Sequence, residues 1–230
     1  MSSTKNQIIA LKSALSAARI NTYEIAAGIT GNEDLSWLNL YLWNAQISGE
    51  FLTPLHICEV VIRNAVADAI EQQYGNQWPW SKTFQTSLPS SSFLKVYNPQ
   101  KNLCDVSKKQ VTVGKVIPKL NFMFWQKMFT KRHDVRLWNK YLLNVMPGCD
   151  KAQSIKNLRQ SIFQDIDTVR ELRNRIAHHE PIFKRDLAND YNTIIRLITY
   201  RSQETADWIF LNHYGRIQEI LNKKPKIIIV

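Results

Sequence analysis

Cysteine, glycine, proline and acidic side chains are all scarce in this chain. Its three cysteines, Cys58, Cys104 and Cys149, are odd in number and widely spaced, which argues against a disulfide framework and for a reducing cytoplasm. Their spacing also fits no zinc site. Only 7 Gly and 8 Pro occur in 230 residues, so turn punctuation is sparse and long helices are favoured over many short strands. No apolar run approaches the roughly 18 residues of a membrane span, and polar residues interrupt the N-terminus before a secretory core can form. The tail Ile227-Ile228-Ile229-Val230 is too short to span a bilayer. What the chain does have is 44% hydrophobic residues, enough for a core. The length suits one domain with appendages: 1–33 at the N-terminus, 34–200 as the core and 201–230 as a C-terminal extension.

The acid shortage leaves a formal net charge of +11, which points to a polyanionic partner. The excess concentrates between Lys101 and Lys140, where ten Lys/Arg oppose two acids, Asp105 and Asp134. Phe122, Phe124, Trp125, Phe129, Trp138 and Tyr141 are interleaved there. Two readings stand: basic groups holding phosphates with aromatics stacking bases, or a solvated basic face over aromatic core.

Hydrophobic periodicity predicts helices throughout. Residues 5–18 and 21–30 read as short helices, Gly31-Asn32 as a turn, and Asp34 as the cap of a helix to about Glu50. Thr53-Pro54 reads as a fresh helix start, with Thr as N-cap and Pro at the first position, running to Tyr74 before Gly75. Residues 76–105 hold Pro79, Pro89, Pro99 and Ser90-Ser91-Ser92 and read as a loop or insertion, either a lid or a carrier of short helices. Further helices are expected near 113–130, 134–145, 150–179 and 186–200. Ser202 caps another, to about His213, where Gly215 interrupts.

The richest stretch runs from Glu171 to Phe183. It holds Arg173, Asn174, His178 and His179 ahead of Pro181. Arg can grip a phosphate through parallel charge-assisted bonds, and His exchanges protons near neutral pH. With Asp150 as N-cap, the helix carries an apolar stripe of Ile155, Leu158, Ile162, Ile166, Val169, Leu172 and Ile176. Arg173 falls within that stripe, and so does Asp165. A charge there needs a partner, so Arg173 either pairs with Asp165 or another carboxylate, extends its head to the rim, or serves a site. His178 and His179 lie in the last turn, where the helix dipole favours imidazolium. Five residues turn a helix about 140°, so Arg173 and His178 do not share a face of one straight helix. Either the last turn distorts or two copies of the helix combine.

On the 54–74 helix, Glu59 edges an apolar arc. Its partner is either Arg63, one turn on, or Arg173, whose guanidinium it would then orient.

Arg173-Asn174-Arg175-Ile176-Ala177-His178 resembles the R-x-x-x-x-H signature of the HEPN superfamily. The longer string is similar to its abortive-infection (Abi-like) bacterial branch. Leu40-Tyr41-Leu42-Trp43-Asn44-Ala45, the run Leu55 to Ala65, and Leu120 to Trp125 resemble the same branch, so the likeness covers about residues 36–185. It implies an all-α, HEPN-like helical bundle, usually dimeric, with extra helices and the 76–105 insertion. It implies a metal-independent endoribonuclease serving as toxin or phage-defence effector, with no cofactor. The implied catalytic group is Arg173, His178, Asn174 as polar helper, His179 as the alternative histidine, and Glu59. RNA is the implied partner, contacted by Arg63, Lys119, Lys127, Lys131, Arg132 and Arg175. A homodimer with a composite site, a protein or RNA antitoxin, and a cytoplasmic setting complete the expectation. The alternatives are an inactive HEPN module that binds RNA or a protein, a metal enzyme built on His178, His179 and Glu180, and a target of nucleotidyl transfer.

Overall fold

The computed structural model describes residues 2–29, 35–90 and 97–227. Among these the fold is all-α, with no strand. The turn at Gly31-Asn32, the Asp34 cap, Ser91-Ser92 and the last three residues of the chain lie outside the described residues.

Helix α1 (Ser2–Leu15) is followed by α2 (Ala17–Ala27), whose Ser16 side chain accepts the Arg19 N–H at 3.4 Å. Helix α3 (Ser36–Tyr74) is the spine of the molecule and runs unbroken through Pro54, so the expected break between Glu50 and Thr53 does not occur. A proline inside a helix costs roughly 3 kcal/mol. Here the flanking turns bury one continuous face, from Trp43 and Ile47 through Phe51, Leu55 and Cys58 to Ile62. Each large side chain so buried contributes about 1.5–3 kcal/mol, which outweighs the local penalty.

The described parts of residues 76–105 carry short helices, one of the two forms expected for this segment. A 3-10 turn at Trp78–Trp80 leads into α4 (Lys82–Ser87), and α5 (Pro99–Ser107) follows. Trp78, Phe84, Leu88 and Leu103 are buried, and Trp78 meets Trp125 edge-on at 6.4 Å. Next come α6 (Val113–Val116), a 3-10 turn at Ile117–Lys119 and α7 (Phe122–Met128). A single helix over 113–130 is therefore not formed. Pro118 lacks the N–H that a continuous helix needs there. A 3-10 turn (Lys131–His133) and a π turn (Asp134–Trp138) then precede α8 (Asn139–Val145).

Phe122, Phe124, Trp125, Phe129 and Trp138 are buried and Tyr141 is half-buried. Phe129 stacks on Trp138 at 4.4 Å. These rings are core, which rules out the base-stacking reading for the five buried ones.

Helix α9 (Ile155–Ala177) begins at Ser154, whose hydroxyl accepts the Asn157 N–H at 3.2 Å. Asp150 does not cap it. Its carboxylate instead accepts the Ala152 N–H at 2.9 Å in a local turn, a competing geometry natural to Asp. Helix α10 (Leu187–Arg201) packs on α3, α9 and α11 (Gln203–Asn222). Ser202 caps α11 as expected, but Gly215 does not interrupt it, because Ile209, His213 and Ile217 are buried at helical spacing on both sides. One hydrophobic core takes in residues from Ile20 on α2 to Ile217 on α11. Gly148 has a structural reason: its N–H donates to the Tyr200 carbonyl at 3.0 Å, and a Cβ would meet the Thr199 carbonyl oxygen at 2.2 Å. Among the described residues no helix is long and apolar enough to cross a membrane.

Candidate active site

Helices α3 and α9 bring Glu59, Arg63 and Arg173 together. One Glu59 oxygen accepts the Arg63 guanidinium, and the other lies 3.9 Å from Arg173 Nε. Both partners foreseen for Glu59 are thus present at once. Arg173 also donates to Asn174 Oδ1 at 3.3 Å. Its side chain is 45% exposed while Glu59 is 15% exposed. The carboxylate is fixed in the protein and the guanidinium reaches out from it. Arg173 is therefore not paired with Asp165. That acid takes Arg196 of α10 in a two-pronged pair at 2.9 and 2.7 Å. The stripe azimuth is core-facing along most of α9, but at Arg173 the facing element is the polar Glu59–Arg63 turn of α3.

The last turn of α9 does distort, in a specific way. His178 is the C-cap, donating its N–H to the Asn174 carbonyl at 2.9 Å. His179 adopts φ 55°, donates to the Ile176 carbonyl at 3.0 Å, and Glu180 donates to the Arg175 carbonyl at 2.7 Å. This pair of bonds is the Schellman closure, which normally places glycine at the left-handed position. A histidine there carries a conformational cost of about 1 kcal/mol.

The segment beyond is tied down from three directions. Arg19 of α2 donates to the His179 carbonyl, Asn44 of α3 accepts the Ile182 N–H at 2.8 Å, and Lys224 donates to the Phe183 carbonyl at 2.7 Å. His178 and His179 are both exposed. Among the described residues neither imidazole bonds to the Arg173 guanidinium.

The other basic candidates divide. Arg63 belongs to the site. Lys127 lies over the Phe163 ring at 5.8 Å, ten residues and about 15 Å along α9 from Arg173. Beside it Asp167 accepts Gln126 and Arg170, each at 2.7 Å, and the Arg170 bond holds the Asp167 carboxyl below its usual range. Lys119, Lys131 and Arg132 are exposed, but Arg132 reaches the Ser87 carbonyl at 3.5 Å, against α4 and not α9. Arg175 turns away toward Glu180, 3.5 Å off.

A cavity of about 390 Å³ opens beside Ala177, between α2, α3 and the end of α9. Tyr23, Tyr41, Asn44, Leu52 and His179 line it; His178 does not. Burial raises the Tyr23 hydroxyl to about 12, so it stays a neutral phenol. Cys58, adjacent to Glu59 in sequence, is wholly buried, and burial together with that carboxylate pushes its thiol upward. Tyr41 and Asn44 stand in the Leu40–Ala45 block singled out in the sequence, which carried no role for them, and nothing in the sequence marked Tyr23.

Among the described residues no group of three His, Cys, Asp or Glu side chains could hold a metal ion. Comparison with protein-family models, curated proteins and solved structures finds no match to this chain.

Proposed function

We propose that this chain is a metal-independent endoribonuclease of HEPN type, acting as a toxin or abortive-infection effector. The observation that carries the reading is the exposed Arg173, steadied by Glu59 and Asn174, on a helix whose next turn ends in two histidines. A histidine takes the proton from a ribose 2′-hydroxyl. The freed oxygen attacks the adjacent phosphorus, and Arg173 stabilises the charge growing on the phosphoryl oxygens. A second histidine protonates the departing 5′-oxygen. The products are a 2′,3′-cyclic phosphate and a 5′-hydroxyl. Arg63 and Lys127 extend the positive surface that holds RNA.

Within one chain neither imidazole is bonded to Arg173, which supports a homodimer in which the second copy completes the site. The same observation favours a second reading, an inactive module that binds RNA or a protein. A neutralising antitoxin belongs to the first reading. The deciding experiment compares wild type with Arg173→Ala, scoring RNA integrity with chelator present and on an all-deoxy substrate. Cleavage that survives chelator, stops on DNA and disappears in the variant is the expected result. An intact RNA pool with wild-type protein overturns the nuclease reading.

A further inference from the structure

We infer that the cavity between α2, α3 and the end of α9 is a nucleobase pocket that selects the RNA base next to the scissile phosphate. The inference rests on the nuclease reading for its substrate and adds a site that Arg173 and His178 do not line. The cavity's 390 Å³ falls in the range of small-ligand sites and holds one flat heterocycle. Its position fits that role. Ala177 lines it, one helical turn, about 6 Å, beyond Arg173. On α3, Leu52 stands at the cavity two turns before Glu59, on the same helix face. A nucleotide whose phosphate meets Arg173 therefore has this opening alongside.

The lining also suits a base. Tyr23 and Tyr41 pack ring to ring at 4.8 Å, and Tyr23 is braced behind by Phe183 at 5.3 Å. Tyr23 is itself buried, so it is the half-buried Tyr41, backed by Tyr23, that presents a ring at the opening, a surface of the kind on which unpaired bases stack. Asn44 is buried at the cavity wall, and the Ile182 N–H occupies its Oδ1. A backbone N–H can only donate, so the amide cannot flip, and its remaining capacity is the Nδ2 donors. A fixed donor in an aromatic recess reads a base acceptor and discriminates among bases. The cavity also has open space at α3. A Cβ on Gly49 would meet nothing within 4 Å, so α3 leaves room where most helix positions carry a side chain. The nearby recess at Arg175 and Arg185 is less suited, because Glu180 and Asp190 already engage those cations.

The same open position supplies the test. Gly49→Leu plugs the cavity from an exposed helix site and should fold at least as well as wild type. In an Arg173→Ala background, which binds without cutting, decamers rA, rC, rG and rU are titrated and their affinities compared. The pocket predicts unequal affinities, and Gly49→Leu should weaken the preferred decamer about tenfold and level the series, the size expected for one stacked base. In the cleavage-competent protein the nucleotide preference at mapped cut sites should flatten likewise. Cleavage with unchanged preference in Gly49→Leu overturns the pocket and leaves the nuclease standing. Base-selective binding that Gly49→Leu abolishes, in a wild-type protein that cuts nothing, upholds the pocket while the nuclease falls. If Gly49→Leu changes the solution mass and not the base preference, a second copy fills the cleft and the pocket is refuted.

Discussion

Glu59 Oε2 stands 3.9 Å from the Nε of Arg173 while Oε1 holds Arg63. One half-buried carboxylate on α3 thus orients two guanidiniums at different depths. Neutralising it should leave Arg63 and Arg173 repelling each other. Glu59→Gln should lower kcat more than it raises KM, because the substrate still meets both cations but Arg173 loses its bearing. Stability should fall by roughly 1–3 kcal/mol, the cost of removing one partner from a charged hydrogen bond. Steady-state cleavage and thermal melting on the same sample check this. Wild-type kcat in Glu59→Gln would reduce the acid to a scaffold role.

The left-handed His179 should be replaceable in one respect only. His179→Gly relieves the φ 55° backbone and should stabilise the fold by about 1 kcal/mol, a rise of a few degrees in melting temperature. His179→Ala should give no such gain, since alanine keeps the Cβ. If His178 is the catalytic imidazole, His179→Gly stays active and His178→Ala does not. The opposite pattern transfers the role to His179, whose side chain lines the cavity.

Two glycines should respond in opposite directions. Gly148→Ala drives a Cβ to 2.2 Å from the Thr199 carbonyl oxygen and should cost about 1–3 kcal/mol, as overpacking does. Gly49→Ala meets open space on α3 and should gain roughly 0.5–1 kcal/mol. Denaturant midpoints for the two variants should fall on either side of wild type.

How much of this was readable in advance depended on whether a feature was local. The apolar stripe of α9, from Leu158 to Ile176, was visible because a 3.6-residue period is a local signal, and the Ser202 cap was visible for the same reason. Pro54 misled because its cost is local, whereas the burial that overrides it comes from partners across the bundle. Asp150 and Ser154 are both good caps, and the choice turned on a backbone turn at Ala152. Arg173 lay on a stripe whose covering element changes along its length, so its exposure depended on α3 and α10. The ring-rich segment from Phe122 to Trp138 could not be assigned to core or surface from composition. Histidine at a Schellman position carries no sequence mark, because glycine is the usual residue there.

Acid should loosen the fold through His133. Burial and the neighbouring Arg136 and Arg132 lower its pKa from 6.5 to about 4. The folded state therefore keeps this imidazole neutral, and its contribution is fully present above about pH 6.5. As pH falls from 6.5 toward 4, the unfolded chain binds a proton that the folded chain resists, and up to about 3 kcal/mol is lost. His133→Leu removes that proton uptake at little packing cost, since Nε2 has no partner. Carboxylates titrate in both proteins, so the measurement is the difference between variants at pH 7 and pH 4.5. Equal acid sensitivity in the two would show that His133 is not the sensor.

A composite site has a signature that a site within one chain cannot produce. Arg173→Ala and His178→Ala are each expected to lose several decades of rate, the scale of removing a preorganised charge or a proton donor. Mixed after partial denaturation and refolding, the two variants form half of their dimers as heterodimers. In a two-fold dimer each heterodimer holds one site with both defects and one with none. The mixture should thus recover about a quarter of wild-type cleavage if Arg173 and His178 act across the interface. If both residues serve the same chain's site, every site carries one defect and nothing returns. Recovery should also follow dimer concentration and vanish on dilution below the dissociation constant. An inactive mixture that demonstrably contains heterodimers would place the arginine and the histidine in one protomer, and the turn of α9 that separates them would have to close when RNA binds.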